Sequence, residues 1–109
     1  MQRRTLSAAA LVVLTAAAGA GEPRASMAAA QRAYHAGHYQ QSLALFERLA
    51  GQRNAEAAEC AGFMLIMGES MYGSQVRRDV HRAKVFLLEA AAAGRPTAGF
   101  LLNMVERTD

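Results

Sequence analysis

Histidine and cysteine are the first residues in this sequence whose chemistry could amount to a function. His35 and His38 stand three residues apart, a spacing at which one helical face could offer two imidazoles to a metal ion. Gly37 lies between them, and a glycine there ends a helix rather than continuing it. The other candidate ligands, Asp79 and His81, lie far downstream at the start of a different segment. Solvated turn histidines are the expected reading, with no metal and no other cofactor. Cys60 is the only cysteine, has no internal disulfide partner, and lacks a basic neighbour to lower its pKa. It reads as small apolar filler within a helix. Ser, His and Asp form no recognisable triad, G-x-S-x-G is absent, and Gly73-Ser-Gln-Val76 lacks the lysine of a phosphate-cradling loop. No catalytic activity is predicted.

Two further groupings carry weaker signals. Arg77-Arg78 with Arg82 and Lys84 form one basic cluster, without interleaved aromatics and with Asp79 inside it. A solvated helix start is expected there, and no nucleic-acid partner. Met64, Met67, Met71 and Met104 accompany Phe63 and Tyr72. Methionine suits adaptable binding surfaces as well as cores, and at helical spacing the expected role is core.

Charge has to be read by position. The 109 residues carry 12 basic and nine acidic side chains, a formal net of +3. Arg3 and Arg4 open a basic start that runs through an apolar stretch into Ala18-Gly19-Ala20. Small residues at the −3 and −1 positions complete the pattern of a secretory signal peptide over residues 1–20. The stretch is too short and alanine-rich for a spanning helix, which needs about 20 predominantly apolar residues. An uncleaved anchor or a buried first helix is the alternative. The residues after Arg3-Arg4 fit a twin-arginine signal poorly, so ordinary secretory export is expected. Cleavage after Ala20 leaves ten basic against nine acidic residues, so most of the basicity leaves with the signal. The expectation is an exported protein, periplasmic or secreted, with no membrane insertion after cleavage.

The remainder must supply the scaffold. Alanine is the commonest residue type in the chain, and no residue favours helix more. A single cysteine excludes a disulfide scaffold, and two prolines exclude a proline-rich disordered chain. Residues 21–25 read as a flexible leader and 26–109 as one helical domain. Apolar residues recur there at helical spacing, punctuated by Gly, Asn and Pro, without strand-like alternation. The first helix is predicted from Ser26 to Ala36, stopping at Gly37. The second runs from Tyr39 to Ala50, with Tyr39, Ser42, Phe46, Leu49 and Arg53 near one face. The third follows an Asn54 cap, with Ala57, Ala61, Met64, Leu65 and Gly68 as its core row. A loop is expected over Glu69–Arg78. The fourth helix, capped by Asp79, carries Val80, Ala83, Phe86, Leu87, Ala90 and Ala91 and stops at Gly94. The last starts at Pro96 and buries Ala98, Leu101, Leu102 and Val105. The predicted class is all-α, with about five helices in the mature chain.

The second and fourth helices share an arrangement when one is laid on the other at a fixed offset. Leu45-Phe46 fall against Phe86-Leu87, Ala50 against Ala91, Arg53 against Gly94, and Ala57 against Ala98. A period of about 40 residues with two helices per unit marks a short α-solenoid of antiparallel helix pairs, an irregular alanine-rich bundle being the alternative. Specific residues add to this. Ala57-x-x-x-Ala61-Gly62-x-Met64-Leu65-x-x-Gly68 resembles the A-x-x-x-L-G-x-M-Y-x-x-G half of a Sel-like repeat. Gly73-x-x-Val76-x-x-Asp79-x-x-Arg82-Ala83-x-x-Phe86-x-x-x-Ala90-Ala91-x-x-Gly94-x-x-x-Ala98 is similar to its continuation. The stretch from Gly37 to Ala57 resembles the degenerate helix that often precedes a first full repeat. The departures are Phe86 for tryptophan, Ala61 for leucine, Gln75 for a loop glycine, and a link about five residues longer.

This resemblance, to a branch of the tetratricopeptide-like superfamily, implies an exported adaptor or scaffold of the small bacterial type. It implies protein binding in a concave groove lined by the first, third and fifth helices, where Arg32, Glu59 and Phe63 are the candidate contact residues. Another protein or peptide is the expected partner. About three repeats are usually needed to bury every apolar face, so self-association or a capping partner is expected as well. The competing readings are a small periplasmic metal-binding or enzymatic accessory protein using His35 and His38, and a purely structural envelope component.

Overall fold

Ser26 Oγ accepts the amide of Ala29 at 3.0 Å and opens a helix over Met27–His35, α1. The chain is seen in a computed structural model that describes residues 24–108. The expected signal peptide, residues 1–20, and residues 21–23 of the leader lie outside the described residues. Asn54 Oδ1 accepts the Ala57 amide at 2.9 Å and starts α3, Ala55–Met67. Asp79 Oδ1 accepts the Arg82 amide at 3.1 Å and starts α5, Val80–Ala92. Each cap satisfies an N–H that a helix start otherwise leaves without a partner. The other long helices are α2, Tyr39–Gly51, and α6, Pro96–Thr108, whose first residue has no N–H to lose. Between α3 and α5 lie a four-residue helix, α4, Glu69–Tyr72, and a 3₁₀ turn over Gly73–Gln75. No strand occurs among the described residues, and the class is all-α.

Three of the inter-helix turns close alike. Gly37, Arg53 and Gly94 have left-handed φ of 82, 68 and 93°. The next amide in each case returns to the last helical turn: His38 to the Ala33 carbonyl at 2.9 Å, Asn54 to Leu49 at 3.1 Å, Arg95 to Ala90 at 3.1 Å. This is the Schellman closure, in which a left-handed residue lets the following amide satisfy an orphan carbonyl. Arg53 therefore corrects the sequence expectation. It is an exposed turn residue, not part of the α2 core face. Its role was hidden because glycine, not arginine, ordinarily marks such a turn.

The core is organised around α3. Ala57, Ala61 and Met64 pack with Ala30, Leu45, Phe46 and Leu49 from α1 and α2. Ala58, Leu65 and Ile66 pack with Ala83, Leu87, Leu101 and Val105 from α5 and α6. A helix buried on two sides has to be apolar nearly all round, and AEAAECAGFMLIM is. Each long helix packs against its neighbour along the chain, and α3 also reaches α6. Buried alanines at 30, 57, 61, 83, 90 and 98 let the helix axes approach closely. Ser42, fully buried, donates to the Ala30 carbonyl at 2.9 Å and so ties α2 to α1 without an unmet polar group.

The segment expected as a loop, Glu69–Arg78, is instead a built strap. Tyr72 and Val76 are buried in the first cluster. The Asp79 amide donates to the Leu65 carbonyl at 2.9 Å, and Arg78 Nε donates to the Ile66 carbonyl at 3.1 Å. The Arg78 amide donates to Glu69 Oε1 at 3.0 Å, which chiefly holds the Glu69 carboxyl below its usual pKa. Gln75 reaches furthest. Its Oε1 accepts the amides of Tyr39 at 2.8 Å and Gln40 at 3.2 Å, and its Nε2 donates to the Gly37 carbonyl at 2.9 Å. No side chain next to Tyr39 caps α2, so its N-cap comes from residue 75. Gln75→Ala is expected to lower unfolding free energy by about 1–2 kcal/mol in urea titration. An unchanged midpoint would show that α2 does not depend on this cap.

Candidate functional site

Along α3, Glu56, Glu59, Cys60, Phe63 and Met64 follow helical spacing and share one face. Part of that face opens into a groove of about 300 Å³. Glu59, Cys60, Phe63 and Met64 line it from α3, Gln31, Tyr34 and His35 from α1, Thr97 and Leu101 from α6, and Phe46 from α2. The groove thus exists only because α3 lies between α1 and α6. Its walls are mainly aromatic and aliphatic with a few polar groups, the usual character of a binding concavity.

Glu59 supplies the charge. Its Oε1 accepts from Arg95 Nη2 at 2.9 Å, across 36 residues of sequence. Glu59 in turn holds the Arg95 guanidinium above its ordinary pKa, first through this hydrogen bond and then by charge. Glu59 Oε2 and Arg95 Nε are both buried without a hydrogen-bond partner. Cys60 is half-buried in the groove wall, which corrects its expected role as buried filler. Burial, followed by the charges of Glu56 and Glu59, pushes its thiol up to about 11 against the opposing pull of Arg95. The protonated thiol is a poor nucleophile at neutral pH.

Tyr34 is held from behind. Its hydroxyl meets that of Tyr72 at 2.9 Å, and the two rings pack edge to face with centroids 5.8 Å apart. Tyr39 completes the cluster, 5.3 Å from Tyr34 and 4.8 Å from Tyr72. Burial, with the Tyr34 hydrogen bond second, raises the Tyr72 hydroxyl well above its usual pKa. The strap therefore braces a groove wall as well as capping α2.

The candidate contact residues divide. Glu59 and Phe63 line the groove, whereas Arg32 is exposed on α1 outside the lining. His35 lines it too, but His38 stands outside at the N-cap position of α2. Among the described residues, no three His, Cys, Asp or Glu side chains gather as a metal site would require. In the basic cluster, Arg82 pairs with Glu47 of α2 and Arg78 serves the end of α3. Sequence reasoning did not reach Tyr34, Phe46, Thr97 or Leu101 as groove residues, nor Arg95 as the partner of Glu59. The four-residue spacing of Thr97 and Leu101 was a readable signal, whereas the pairing of Arg95 with Glu59 has no local one.

A second hollow, about 560 Å³, lies between the C-terminal ends of α2 and α5. Alanines and Gly51 make up most of its wall, with Arg53, Asn54 and Glu89, so little side-chain surface is offered to a guest. No helix among the described residues is long and apolar enough to cross a membrane. Comparison with protein-family models, curated proteins and solved structures yields no match to this chain.

Proposed function

We propose that this chain is an exported, non-catalytic protein-interaction module, a short helical solenoid of the Sel-like type. The groove on α1, α3 and α6 receives a peptide segment of another protein. The observation that carries this reading is the apolar concavity itself, lined by Phe63 and Met64 of α3, Leu101 of α6, Tyr34 of α1 and Phe46 of α2. Non-catalytic action is consistent with a protonated Cys60 thiol and with a Glu59 carboxylate already engaged by Arg95.

The repeat character is supported by burial at the same offset, the one that lays Phe46 on Leu87. Ser42 and Ala83 are both fully buried, as are Ala57 and Ala98. Phe46 pairs in this way with Leu87 and Met64 with Val105, each nearly inaccessible. Arg53 and Gly94 share the left-handed turn. At the positions following Gly62 and Leu65 by the same offset, α6 carries exposed Asn103 and Glu106. Val85 and Leu88 on α5 and Phe100 on α6 are 57–65% exposed and provide the apolar surface for any self-association.

A photo-crosslinking residue at position 63, introduced into the full-length protein in its native cells, tests the reading. A discrete protein adduct is expected there, and none from the exposed turn position 52. Absence of an adduct at 63 would sink it.

A further inference from the structure

The groove face of α3 is graded along its length. Glu59 lies in its N-terminal half, with exposed Glu56 one turn earlier and outside the lining, and Phe63 and Met64 in its C-terminal half. Arg95 offsets one of the two carboxylates, leaving one negative charge in excess on this face. The partial positive charge of the helix start lies beside it. Burial first, then Glu56 and Glu59, raise the Cys60 thiol's pKa, and Arg95 lowers it. Glu59 Oε2 adds a buried acceptor without a donor. His35, on α1, is the only other titratable side chain of the lining besides Tyr34.

Resting on the reading of this groove as a peptide site, we infer that its guest is a segment joining an apolar anchor to a cationic side chain. The anchor, an aromatic or leucine-like residue, packs against Phe63 and Tyr34, the half-buried aromatic side chains of the lining. The cation, arginine or lysine, lies toward Glu59 and Glu56. At a rise of about 1.5 Å per residue, Phe63 lies roughly 6 Å from Glu59 and roughly 10 Å from Glu56 along the axis. An extended guest, rising about 3.3 Å per residue, spans this with its cation two or three residues from the anchor. A helical guest places it four to seven residues away. Arg82, the basic side chain at the start of α5, is engaged by Glu47 of α2.

Selection of a random peptide library on the purified mature protein tests this, with fluorescence anisotropy of the selected peptides. Enrichment of Leu or Phe with Arg or Lys at those spacings is expected. Replacing the peptide cation by glutamine should weaken binding to the unsubstituted protein about tenfold, and scarcely at all in the Glu56→Gln/Glu59→Gln variant. Phe63→Ala should weaken every selected peptide, with circular dichroism confirming that each variant is folded. Peptides that need Phe63 but show no preference for a cation would overturn this inference and leave the groove reading standing. Peptides indifferent to Phe63→Ala, or no selected peptide at all, would overturn the groove reading and this inference with it.

Discussion

Gly68→Ala should lower the unfolding free energy by about 3 kcal/mol or more, the largest effect expected of any single methyl group in this protein. Gly68 has φ 53° and ψ −138°, a combination that essentially only glycine adopts without strain. Space is missing as well. A Cβ at this position would lie 2.5 Å from the Arg78 amide nitrogen and 2.6 Å from its Cα. Backbone cannot swing aside as a side chain does, and the Arg78 backbone is held by Glu69 on one side and by the Asp79–Leu65 bond on the other. Relief therefore requires the strap to detach from α3. Loss would spread from there, because the strap also carries the Gln75 cap of α2 and the Tyr72 brace behind Tyr34. Gly99→Ala is the control. Nothing lies within 4 Å of the added Cβ, and the residue sits inside α6. Removing a helix-interior glycine should stabilise by about 0.5–1 kcal/mol. Melting temperatures of the two variants should move in opposite directions. A shift of similar size and sign in both would show that the close approach at Arg78 is not what requires glycine.

Leu87→Ala and Gly62→Ala should each destabilise, and together cost less than their sum. Leu87 is fully buried where α5 crosses α3, so truncating it costs about 2–5 kcal/mol through lost contacts and the cavity left behind. A Cβ on Gly62 would stand 2.6 Å from Leu87 Cγ and Cδ2 and 3.3 Å from the Ala83 carbonyl oxygen. Leucine must shift to admit it, at about 1–3 kcal/mol. In the double variant the two obstructing carbons are gone, and the alanine at 62 occupies part of the vacated space. The coupling measured by urea unfolding should reach at least about 1 kcal/mol in the compensating direction. Strict additivity would mean that the Gly62–Leu87 contact does not set the approach of α3 to α5.

What could be read from the residues alone was what depends on near neighbours. Asn54 and Asp79 start helices because each side chain bonds an amide three residues on, and that geometry is local; Ser26, expected as the first residue of its helix, caps it in the same way. Gly37 and Gly94 stop them for an equally local reason. The core row Ala57, Ala61, Met64 and Leu65 of α3, and with it the all-α class, followed from period and composition; the second buried set with Ala58 and Ile66 did not. Arg32, Glu59 and Phe63 were singled out through a family resemblance; Glu59 and Phe63 lie in the groove lining and Arg32 outside it.

Only the tertiary structure decided the rest, and each instance involves partners far apart in sequence. Gln75 caps α2 from 36 residues away, Arg95 pairs with Glu59 over the same distance, and Tyr72 meets Tyr34 across 38. Arg53 adopts a left-handed turn that its residue type does not announce, because packing of α2 and α3 on either side outweighs a local preference of about 1 kcal/mol. The groove is of the same kind. Its walls come from four helices, and no one of them is concave until α3 is laid between α1 and α6.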